Sequence, residues 1–377
     1  MRSHILMMYA GVTVHSNVTS FVSEGQHVDC IAITEQPSVF HFGIKQIEKP
    51  PKPVAPPTGG HTPPSEVSCS DSLLGLGLKD QLGNALSCPK HTIPMSRLTM
   101  DRLTQFPTLN HFLAKYPSDG QASTNSNGTL HLRGTHAQPA WYPGRKFAVG
   151  QQTVMNYGGN AWMDLWRPAG DFSTSHQRYS GGSPVQTLEG GWVVYPQHFG
   201  TMNSVLYIYW GSGTKGCYNL ECPGFVQTDN TWHLGGPWTS YSTTGRRQSF
   251  RLQWKLIQAK WWLFMEGSGN FTAVGYYPVS MYGTGQMSRY ATHMEFGGEV
   301  RRFVGDPWPQ MGSGATPTAT LAVAEHWLIY YFPHIQNGGV GAWATLSPGQ
   351  SPPCYAAQTT DGGTVLYYGG EGGDVCS

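Results

Sequence analysis

Two glutamates in similar glycine-rich contexts are the residues of this sequence that could do acid–base chemistry. Glu189 stands in LEGGWVVYP and Glu299 in EFGGEVRR, each within or beside a run of β-prone residues. Only 12% of the residues are charged, against about 25% in an average protein, so a carboxylate beside a buried strand needs a reason. Two carboxyls that meet over one cleft can share a proton and activate water.

Strand alternation predicts which neighbours share a face with each acid. Alternate residues of a strand lie on one face, which groups Glu189 with Tyr195 and Glu299 with Arg301. The adjacent glycines leave room for a peptide backbone, and Tyr195 could donate to an oxyanion, with a core or rim position as its alternative. An acid paired with a cation such as Arg301 is the competing interpretation, and periodicity does not decide between them.

Other candidate chemistry has less support. The sequence contains no His-Glu-x-x-His, no Gly-x-Ser-x-Gly, no Walker loop and no Asp-Thr-Gly or Asp-Ser-Gly. His131 and His136 match no established ligand spacing, so no metal or other cofactor is expected. Ser313 lies between two glycines, which favours a turn over a nucleophile. Tryptophan-rich stretches such as QWKLIQAKWW could bind sugars, although aromatic residues in strands usually belong to a core.

Short β-prone runs separated by turn residues must position these groups. From about residue 129 nine runs follow one another, namely QQTVMNY, GGWVVYP, SVLYIYW, QSFRLQWKL, KWWLFMEG, AVGYYPV, MEFGGEVRR, HWLIYYF and TVLYYGG. No helical pattern intervenes. The pattern predicts an all-β fold, an antiparallel sandwich or barrel.

The first third of the chain has a different character. Residues 48–66 are rich in proline, which favours an extended linker. Leu109, Phe112 and Leu113 fall on one face of a predicted helix, and the composition shifts near residue 125. Residues 1–16 have one arginine, an apolar run and small residues at their end, as a short signal peptide does.

Charge and hydropathy limit the partners. The chain has 23 basic and 22 acidic residues and a formal net charge of +1, which gives no basic surface for nucleic acid. No run reaches about 18 consecutive apolar residues, the length that would indicate a membrane helix. We therefore expect neither nucleic acid nor membrane as a partner.

The cysteines indicate disulfides. Seven are present and none forms a Cys-x-x-Cys pair, which argues against a zinc ribbon or redox motif. The expected pairs are Cys217–Cys222, Cys354–Cys376 and Cys69–Cys88, which leaves Cys30 unpaired. Three glycosylation sequons, at Asn17, Asn127 and Asn270, also fit a secreted protein.

Several motifs, in a fixed order, resemble those of the neprosin family. GCYNLECPGFVQTDN, residues 216–230, is similar to the family signature. VDCIAITEQPSVFHFGIKQIEKP resembles the start of the family's activation peptide, and CPKHTIPMSRLT resembles its later Cys-Pro-x-x-Thr-Ile-Pro motif. EGGWVVYPQHFG, LYIYW, GYYPVSMY, FGGEV and QMGSG occur in the family's order. The resemblance covers nearly all the chain from about residue 25.

This resemblance implies a zymogen. Residues 17–125 would form a mixed, partly helical activation peptide that inhibits the enzyme, and residues 126–377 a catalytic antiparallel β-sandwich. Characterised members are secreted glutamic endopeptidases with acidic optima that cleave next to proline, and their catalytic glutamates match Glu189 and Glu299. Glu295 holds a place that the motif does not fix and ranks below Glu299. The expected partners are proline-containing polypeptides and the chain's own propeptide, and a monomer is expected.

A different class of function remains open at this point. The chain could be a secreted binding protein, associated with carbohydrate or the cell wall, that keeps the sandwich without cutting peptides. Nor does the sequence fix which glutamate would hold the shared proton.

Overall fold

Antiparallel strands dominate the residues from 144 onward. The structure is a computed structural model, and it describes residues 19–58, 78–79, 85–115, 123–124, 130–131, 144–267, 271–302, 306–317, 323–334, 341–350 and 353–376. The expected signal peptide, the asparagines of the three sequons, Cys69 and His136 lie outside the described residues, as does residue 125, near which the composition shifts.

The described strands fall into an N-terminal group and a longer C-terminal group. The first comprises β1 (Thr19–Ser23), β2 (Gln26–Ala32), β3 (Leu78–Lys79), β4 (Ala85–Leu86), β5 (Thr92–Ser96), β6 (Ser123–Thr124) and β7 (Leu130–His131). The second comprises β8 (Arg145–Asp164), β9 (Ser173–Gly181), β10 (Gln186–Val194), β11 (Val205–Ser212), β12 (Lys215–Tyr218), β13 (Val226–Gln227), β14 (Ser249–Ile257), β15 (Lys260–Glu266), β16 (Thr272–Pro278), β17 (Ala291–Arg301), β18 (Ala324–Pro333), β19 (Ala342–Trp343), β20 (Ser347–Gln350), β21 (Ala356–Thr360) and β22 (Val365–Gly369).

The helices are short. They are α1 (Pro37–His41), α2 (Met100–Thr104), α3 (Leu109–Leu113) and α4 (Pro196–Phe199), with 3-10 turns at Ile33–Glu35, Val279–Tyr282, Gln286–Ser288, Asp361–Gly363 and Asp374–Cys376. In the described ranges no helix has the length and apolar composition needed to cross a membrane. The predicted helix around Leu109 is α3, which begins after Thr108, whose hydroxyl accepts from the His111 backbone N–H.

Strand β8 belongs to both layers of the fold. Its first half pairs with β17 and β20, and its second half pairs with β14 and β18. Gly158, with a φ of +101°, lies between the halves, and a Cβ there would come 2.2 Å from the Trp254 carbonyl oxygen. Only glycine fits this close approach. We call β12-β11-β10-β9-β17 with the first half of β8 the front layer, and the second half of β8 with β14-β15-β16-β13 and β18 the back layer.

The two layers pack through their inner faces. Gln177 of β9 donates to the Leu252 carbonyl oxygen of β14 at 2.8 Å, and the Trp192 indole of β10 donates to the Asp164 carbonyl oxygen at 2.8 Å. Trp192, Leu252 and Trp254 are completely buried. The predicted all-β, antiparallel sandwich is confirmed, and all nine predicted runs form strands.

The N-terminal segment, by which we mean residues 19–115, covers the outer faces of both layers. It contains the three-stranded sheet β1-β2-β5 and helices α1 to α3, and it is therefore mixed and partly helical, as expected. Phe106 and Phe112 pack on aromatic side chains of the front layer. The Gln36 amide donates to the carbonyl oxygen of Gln227 and accepts from its N–H, both at 2.8 Å.

One of the three expected disulfides is wrong. Cys88 bonds to Cys30, not to Cys69, while Cys217–Cys222 and Cys354–Cys376 are paired as expected. The reason is strand pairing: β2, which contains Cys30, lies next to β5, and Cys88 precedes β5 by only a few residues. Sequence spacing alone did not reveal this neighbour.

The corrected disulfide gives a direct test of the N-terminal fold. Cys88→Ala should destabilise the N-terminal segment by up to about 4 kcal/mol, because an unlinked loop of this length gains chain entropy on unfolding. Limited proteolysis at neutral pH would measure the loss as faster cleavage before residue 115. Cys30→Ala should have the same effect as Cys88→Ala, and Cys69→Ala a smaller one. Equal effects of the Cys69 and Cys88 substitutions would contradict the pairing.

Candidate active site

Two buried carboxylates lie on either side of β9 on the outer face of the front layer. Glu189 is on β10 and Glu299 on β17, and both have a relative exposure of 0%. Strand β9 pairs with both strands, and places Arg178 opposite Glu189 and Thr174 opposite Glu299. The glutamates are therefore offset along the strands but share one face.

Glycines occupy the row between the two acids. Gly191 and Gly297 both pair with His176 of β9. A Cβ at Gly191 would lie 1.9 Å from the Ser175 carbonyl oxygen, and one at Gly297, whose φ is +130°, would lie 2.4 Å from that of Ala148. Neither position accepts a larger residue. On these three strands His176 is the one side chain of the row, so the two glycine motifs leave space between the acids.

Lys115 joins the two glutamates. Its Nζ lies 2.6 Å from Glu189 Oε2 and 2.8 Å from Glu299 Oε2, so a single ammonium contacts both carboxylates. Its backbone N–H donates to the Tyr209 hydroxyl at 3.2 Å, and its carbonyl oxygen accepts from Arg145. Lys115 follows α3 in the N-terminal segment, and its side chain is completely buried. The cation between the acids thus comes from outside the sandwich.

Both oxygens of Glu299 contact cations. Arg145 Nη1 binds Oε1 and Lys115 Nζ binds Oε2. Burial alone would raise the pKa of Glu299, but Lys115 and Arg145 outweigh burial and hold the pKa well below its usual range. Burial alone would lower the pKa of Lys115, but Glu189 and Glu299 together raise it above its usual range. Lys115 and Glu299 therefore stabilise each other's charged forms.

Glu189 has a less symmetrical environment. Its Oε2 accepts from Lys115 and, at 3.4 Å, from the Tyr207 hydroxyl. Its Oε1 is buried without a hydrogen-bond partner among the described residues, and the nearest guanidinium nitrogen, Arg178 Nη1, is 4.0 Å away. A buried carboxylate oxygen without a donor is costly. This Glu189 oxygen could therefore accept a further hydrogen bond.

Glu295 belongs to the same surface but is held differently. Arg178 Nη2 lies 2.5 Å and His176 Nε2 3.0 Å from Glu295 Oε1. Burial would raise the pKa of Glu295, but Arg178 and then His176 outweigh it and lower the pKa to about 2. Glu295 lies on the row of Glu189 and is fastened in ion pairs within the front layer. We call Glu189, Glu295, Glu299, Lys115, Arg145 and Arg178 the charge cluster.

Tyr195 lies on the predicted face but in an aromatic setting. It follows β10 and packs on Phe172 at 5.1 Å, on His198 at 5.4 Å and on Phe106 at 6.3 Å between ring centroids. Its role as an oxyanion donor stays a prediction. Tyr207 is the tyrosine whose hydroxyl donates to Glu189.

The remaining sequence candidates lie elsewhere. Ser313 stands in a turn between Gly312 and Gly314, both with positive φ, and its hydroxyl accepts from the Ala315 N–H. The side chain of His131 lies outside the described residues. Among the residues that are described, no group of three or more histidine, cysteine or acidic side chains has metal-binding geometry.

Sequence reasoning missed the cations of the site. Arg178 and His176 lie on β9, whose sequence STSHQRYSG has neither the apolar content nor the alternation of a typical strand. Arg145 opens the long strand β8, and Lys115 lies beyond a one-turn helix. The one available signal was the scarcity of charge, which makes any basic residue near a strand worth considering.

An antiparallel β-sandwich with paired, buried glutamates on one outer face has the features of the glutamic-peptidase class of proteins. The model of the Neprosin family matches residues 169–371, more than half of the chain, and the protein belongs to this family. Membership supports a glutamic-peptidase kind of function. The match includes both glutamates and ends near the last strand.

Two solved structures of Scytalido-glutamic peptidase are remotely similar to the chain. The complex with a peptide-based transition-state analogue aligns with a TM-score of 0.32 and 10% identity, over 60% of this chain and 97% of that chain. The complex with a transition-state analogue inhibitor aligns with a TM-score of 0.30 and 9% identity, over the same shares of the two chains.

The shared ammonium makes Lys115 a test of the site's electrostatics. Lys115→Met should lower the free energy of unfolding at pH 7 by about 3–5 kcal/mol, because two buried carboxylates lose their cation. The pKa of Glu299 is depressed, so its contribution is complete above its ordinary value of 4.5 and declines as the pH falls below it. The raised pKa of Lys115 makes its contribution complete below 10.5. Urea unfolding should therefore separate variant and wild type clearly at pH 7 and less at about pH 3.

Lys90→Met provides the matched control for this experiment. Lys90 is an exposed lysine of the same N-terminal segment, and its substitution should change the unfolding free energy by less than about 0.5 kcal/mol. A Lys115→Met protein as stable as the control at both pH values would show that the ammonium does not stabilise the two carboxylates.

Proposed function

We propose that the protein is a secreted, acid-active glutamic endopeptidase, made as a zymogen, that hydrolyses peptide bonds next to proline. The observation that carries this proposal is the single ammonium held between Glu189 and Glu299. The ammonium shows that a small hydrogen-bond donor fits between the two carboxylates and contacts both. A catalytic water would need the same position, so that one carboxylate can take its proton while the other acts as an acid. The three disulfides fit an oxidising, extracellular compartment.

The different surroundings of the two glutamates support separate roles. If Lys115 leaves, Glu299 retains Arg145, which favours the ionised carboxylate. Glu189 retains the Tyr207 hydroxyl at 3.4 Å and has the Arg178 guanidinium at 4.0 Å. Two close carboxyls cannot both ionise cheaply, so the pair shares a proton. In the proposed enzyme Glu189 holds that proton and Glu299 is the ionised base.

The proposed reaction follows from these protonation states. Glu299 takes a proton from water as the water oxygen bonds to the scissile carbonyl carbon, and Glu189 donates its proton to the carbonyl oxygen. Tyr207 is the neighbouring hydroxyl that can stabilise the charge developing there. The C–N bond then breaks, Glu299 gives its proton to the leaving nitrogen, and Glu189 recovers one from the hydroxyl of the collapsing intermediate. The products are a carboxylic acid and an amine, and the pair returns to its initial state.

The zymogen part of the proposal rests on the origin of Lys115. The ammonium occupies the place proposed for the water, and it belongs to the segment assigned as the activation peptide, residues 17–125. The charge cluster holds three carboxylates and three cations, so its charges balance only while Lys115 is in place or one proton replaces it. A proton and Lys115 therefore compete, and acid favours the open site. Residues 126–377 would remain as the mature enzyme.

An aromatic surface under the N-terminal segment supports the proline preference. The Phe112 ring stacks on His198 at 4.5 Å, and Phe106 meets Tyr195 edge-on at 6.3 Å. When the N-terminal segment leaves with these two phenylalanines, it would expose a pocket lined by Tyr195, His198 and Phe199. Aromatic walls suit proline rings. Tyr195 then contacts substrate through its ring, which is a different role from oxyanion donor.

Substitution of each glutamate tests the pair. Glu189→Gln and Glu299→Gln should each reduce cleavage of a proline-containing peptide at about pH 4 by a factor of roughly 10²–10⁴, because a glutamine neither accepts nor supplies the proton. The rates are compared after removal of the N-terminal segment. Glu371→Gln, at an exposed acid just after β22, is the matched control and should cut at the wild-type rate.

Two results would count against the proposal in different ways. If both glutamine variants cut as fast as the wild type, the assignment of the pair is wrong. If the wild type cuts no proline-containing peptide once its N-terminal segment is gone, the protein is a secreted binding protein that keeps the sandwich without the activity.

The pH dependence of processing tests the zymogen. Full-length protein incubated at pH values from 3 to 7 should remain intact near neutrality and shift to a product beginning near residue 126 below about pH 4.5, the ordinary pKa of a glutamate. The Lys115→Met protein should be processed at a higher pH, because it lacks the ion pairs between Lys115 and the two glutamates that acid must weaken in the wild type. Glu299→Gln should not process. Electrophoresis with N-terminal sequencing gives the answer, and a wild-type chain that stays whole at every pH excludes self-activation.

A further inference from the structure

In the proline-rich stretch of the N-terminal segment, the backbone of Val54 is hydrogen-bonded to the back layer. The Val54 N–H donates to Gln253 Oε1 at 3.1 Å, and the Val54 carbonyl oxygen accepts from Gln253 Nε2 at 3.0 Å. The Tyr330 hydroxyl donates to the same carbonyl oxygen at 3.2 Å. A side-chain amide that is hydrogen-bonded to both the N–H and the C=O of one residue fixes the direction of an extended chain. It does so through bonds that do not involve that residue's side chain.

The burial of this stretch repeats every third residue. Pro51, Val54 and Pro57 are partly buried, as is Pro53, whereas Lys52, Ala55 and Pro56 are exposed. A period of three is that of the polyproline II helix, which proline-rich sequences adopt before they bind. The stretch therefore presents one edge of a polyproline helix to the back layer.

The surface below it is aromatic and leaves room for a proline ring. The Tyr330 ring lies 5.7 Å from Phe332 and 6.0 Å from Trp343, in both cases nearly perpendicular. At Gly341 a Cβ would lie 3.2 Å from Pro57 Cγ and 2.9 Å from Tyr330 Cδ2, so a side chain there would close the space that Pro57 uses. Aromatic grooves of this kind are a recurrent way to bind polyproline helices.

The back layer holds this surface in place by itself. Arg251 Nη2 donates to the Tyr330 hydroxyl at 2.8 Å, and Gln253 Nε2 donates to it at 3.0 Å. Arg251 is fixed in turn by Asn160 at 2.7 Å and by Glu266 at 3.1 Å. A groove whose polar groups are already oriented loses little entropy when it binds a chain that is already extended.

We propose that this groove, formed by Gln253, Tyr330, Phe332 and Gly341, is a binding site for extended proline-rich polypeptides, with residues 50–57 as its resident occupant. The site lies on the outer face of the back layer, whereas Glu189 and Glu299 lie on that of the front layer, so a polypeptide in the groove is held and not cut. In the natural protein the groove would become free only through the proposed loss of the N-terminal segment. The groove then retains a proline-rich partner while the front face acts on another part of it.

A peptide with the resident sequence tests the site in the full-length chain. We define the vacated chain as full-length protein from which residues 50–57 are deleted, which removes the Val54 backbone groups that Gln253 and Tyr330 bind. Fluorescence anisotropy at pH 7 should show saturable binding of labelled PPKPVAPPT to the vacated chain, and binding to the wild type at least about tenfold weaker, because the resident segment competes. At this pH Lys115 still occupies the charge cluster, which keeps the peptide out of the front face.

Two substitutions locate the binding. Gln253→Leu in the vacated chain should weaken binding at least about tenfold, since both hydrogen bonds to the peptide backbone are lost. Tyr330→Phe, which removes only a hydroxyl, should weaken it severalfold and serves if the Gln253 variant does not fold, as judged by circular dichroism. A peptide with every proline replaced by glycine should not bind.

The outcomes separate this site from the proposed activity. Absence of saturable binding to the vacated chain overturns the groove, and so does equal binding by the vacated chain and its folded Gln253→Leu or Tyr330→Phe variant. Binding of the proline-free peptide with the same affinity overturns the specificity for proline-rich chains. No cleavage is measured, so a protein without peptidase activity gives the same binding result.

Discussion

A single ammonium between two buried carboxylates is the interaction on which the state of this molecule depends. Carboxylates removed from water must be paired or protonated, because an isolated buried charge costs several kcal/mol. Glu189 and Glu299 are paired by a residue of the N-terminal segment, so the segment's position and the protonation of the acids form one equilibrium. Lys115 and Arg145 depress the pKa of Glu299 in this structure, so in the proposed zymogen an open state, without Lys115 between the acids, would bind a proton more readily. In that proposal, acid favours the open state even before any carboxylate of the closed state is protonated.

The sandwich supplies the geometry that this equilibrium needs. Adjacent strands β10, β9 and β17 put the two glutamates on one face, and glycines in the row between them leave a gap that a lysine side chain fills. Arg178 forms an ion pair with Glu295 and lies 4.0 Å from Glu189, so Glu295 is neutralised by a residue of the front layer itself. Without Lys115 the charge cluster would hold three carboxylates and two guanidinium groups, and in the proposed activation a proton takes the place of the missing ammonium.

Much of the fold could be predicted from sequence, because the nine runs are rich in apolar, β-prone residues and are bounded by turn residues, which is the pattern expected of strands. β9 could not, since its polar residues are buried by the charge cluster on one side and by hydrogen bonds such as Gln177 to Leu252 on the other. Both glutamates followed from motif resemblance. Lys115 could not be predicted, because its partners are far away in sequence and its burial depends on how a separate segment docks. The same long-range docking decides that Cys88 pairs with Cys30.

The N-terminal segment makes different kinds of interaction with the two faces of the sandwich. On the front face the segment makes aromatic contacts as well as the ion pairs of Lys115, and in the proposed activation acid weakens those ion pairs. On the back face the Gln253 amide and the Tyr330 hydroxyl bind a backbone, and neither of these groups titrates in acid. The ion pair between Glu48 and Lys260 on the same face is partly exposed and contributes little. In the proposed activation, acid would therefore open the front while the proline-rich stretch stays bound behind. Under the proposed binding at this groove, another extended proline-rich chain would compete with that stretch, which would link occupancy of the back face to the kind of polypeptide proposed as substrate.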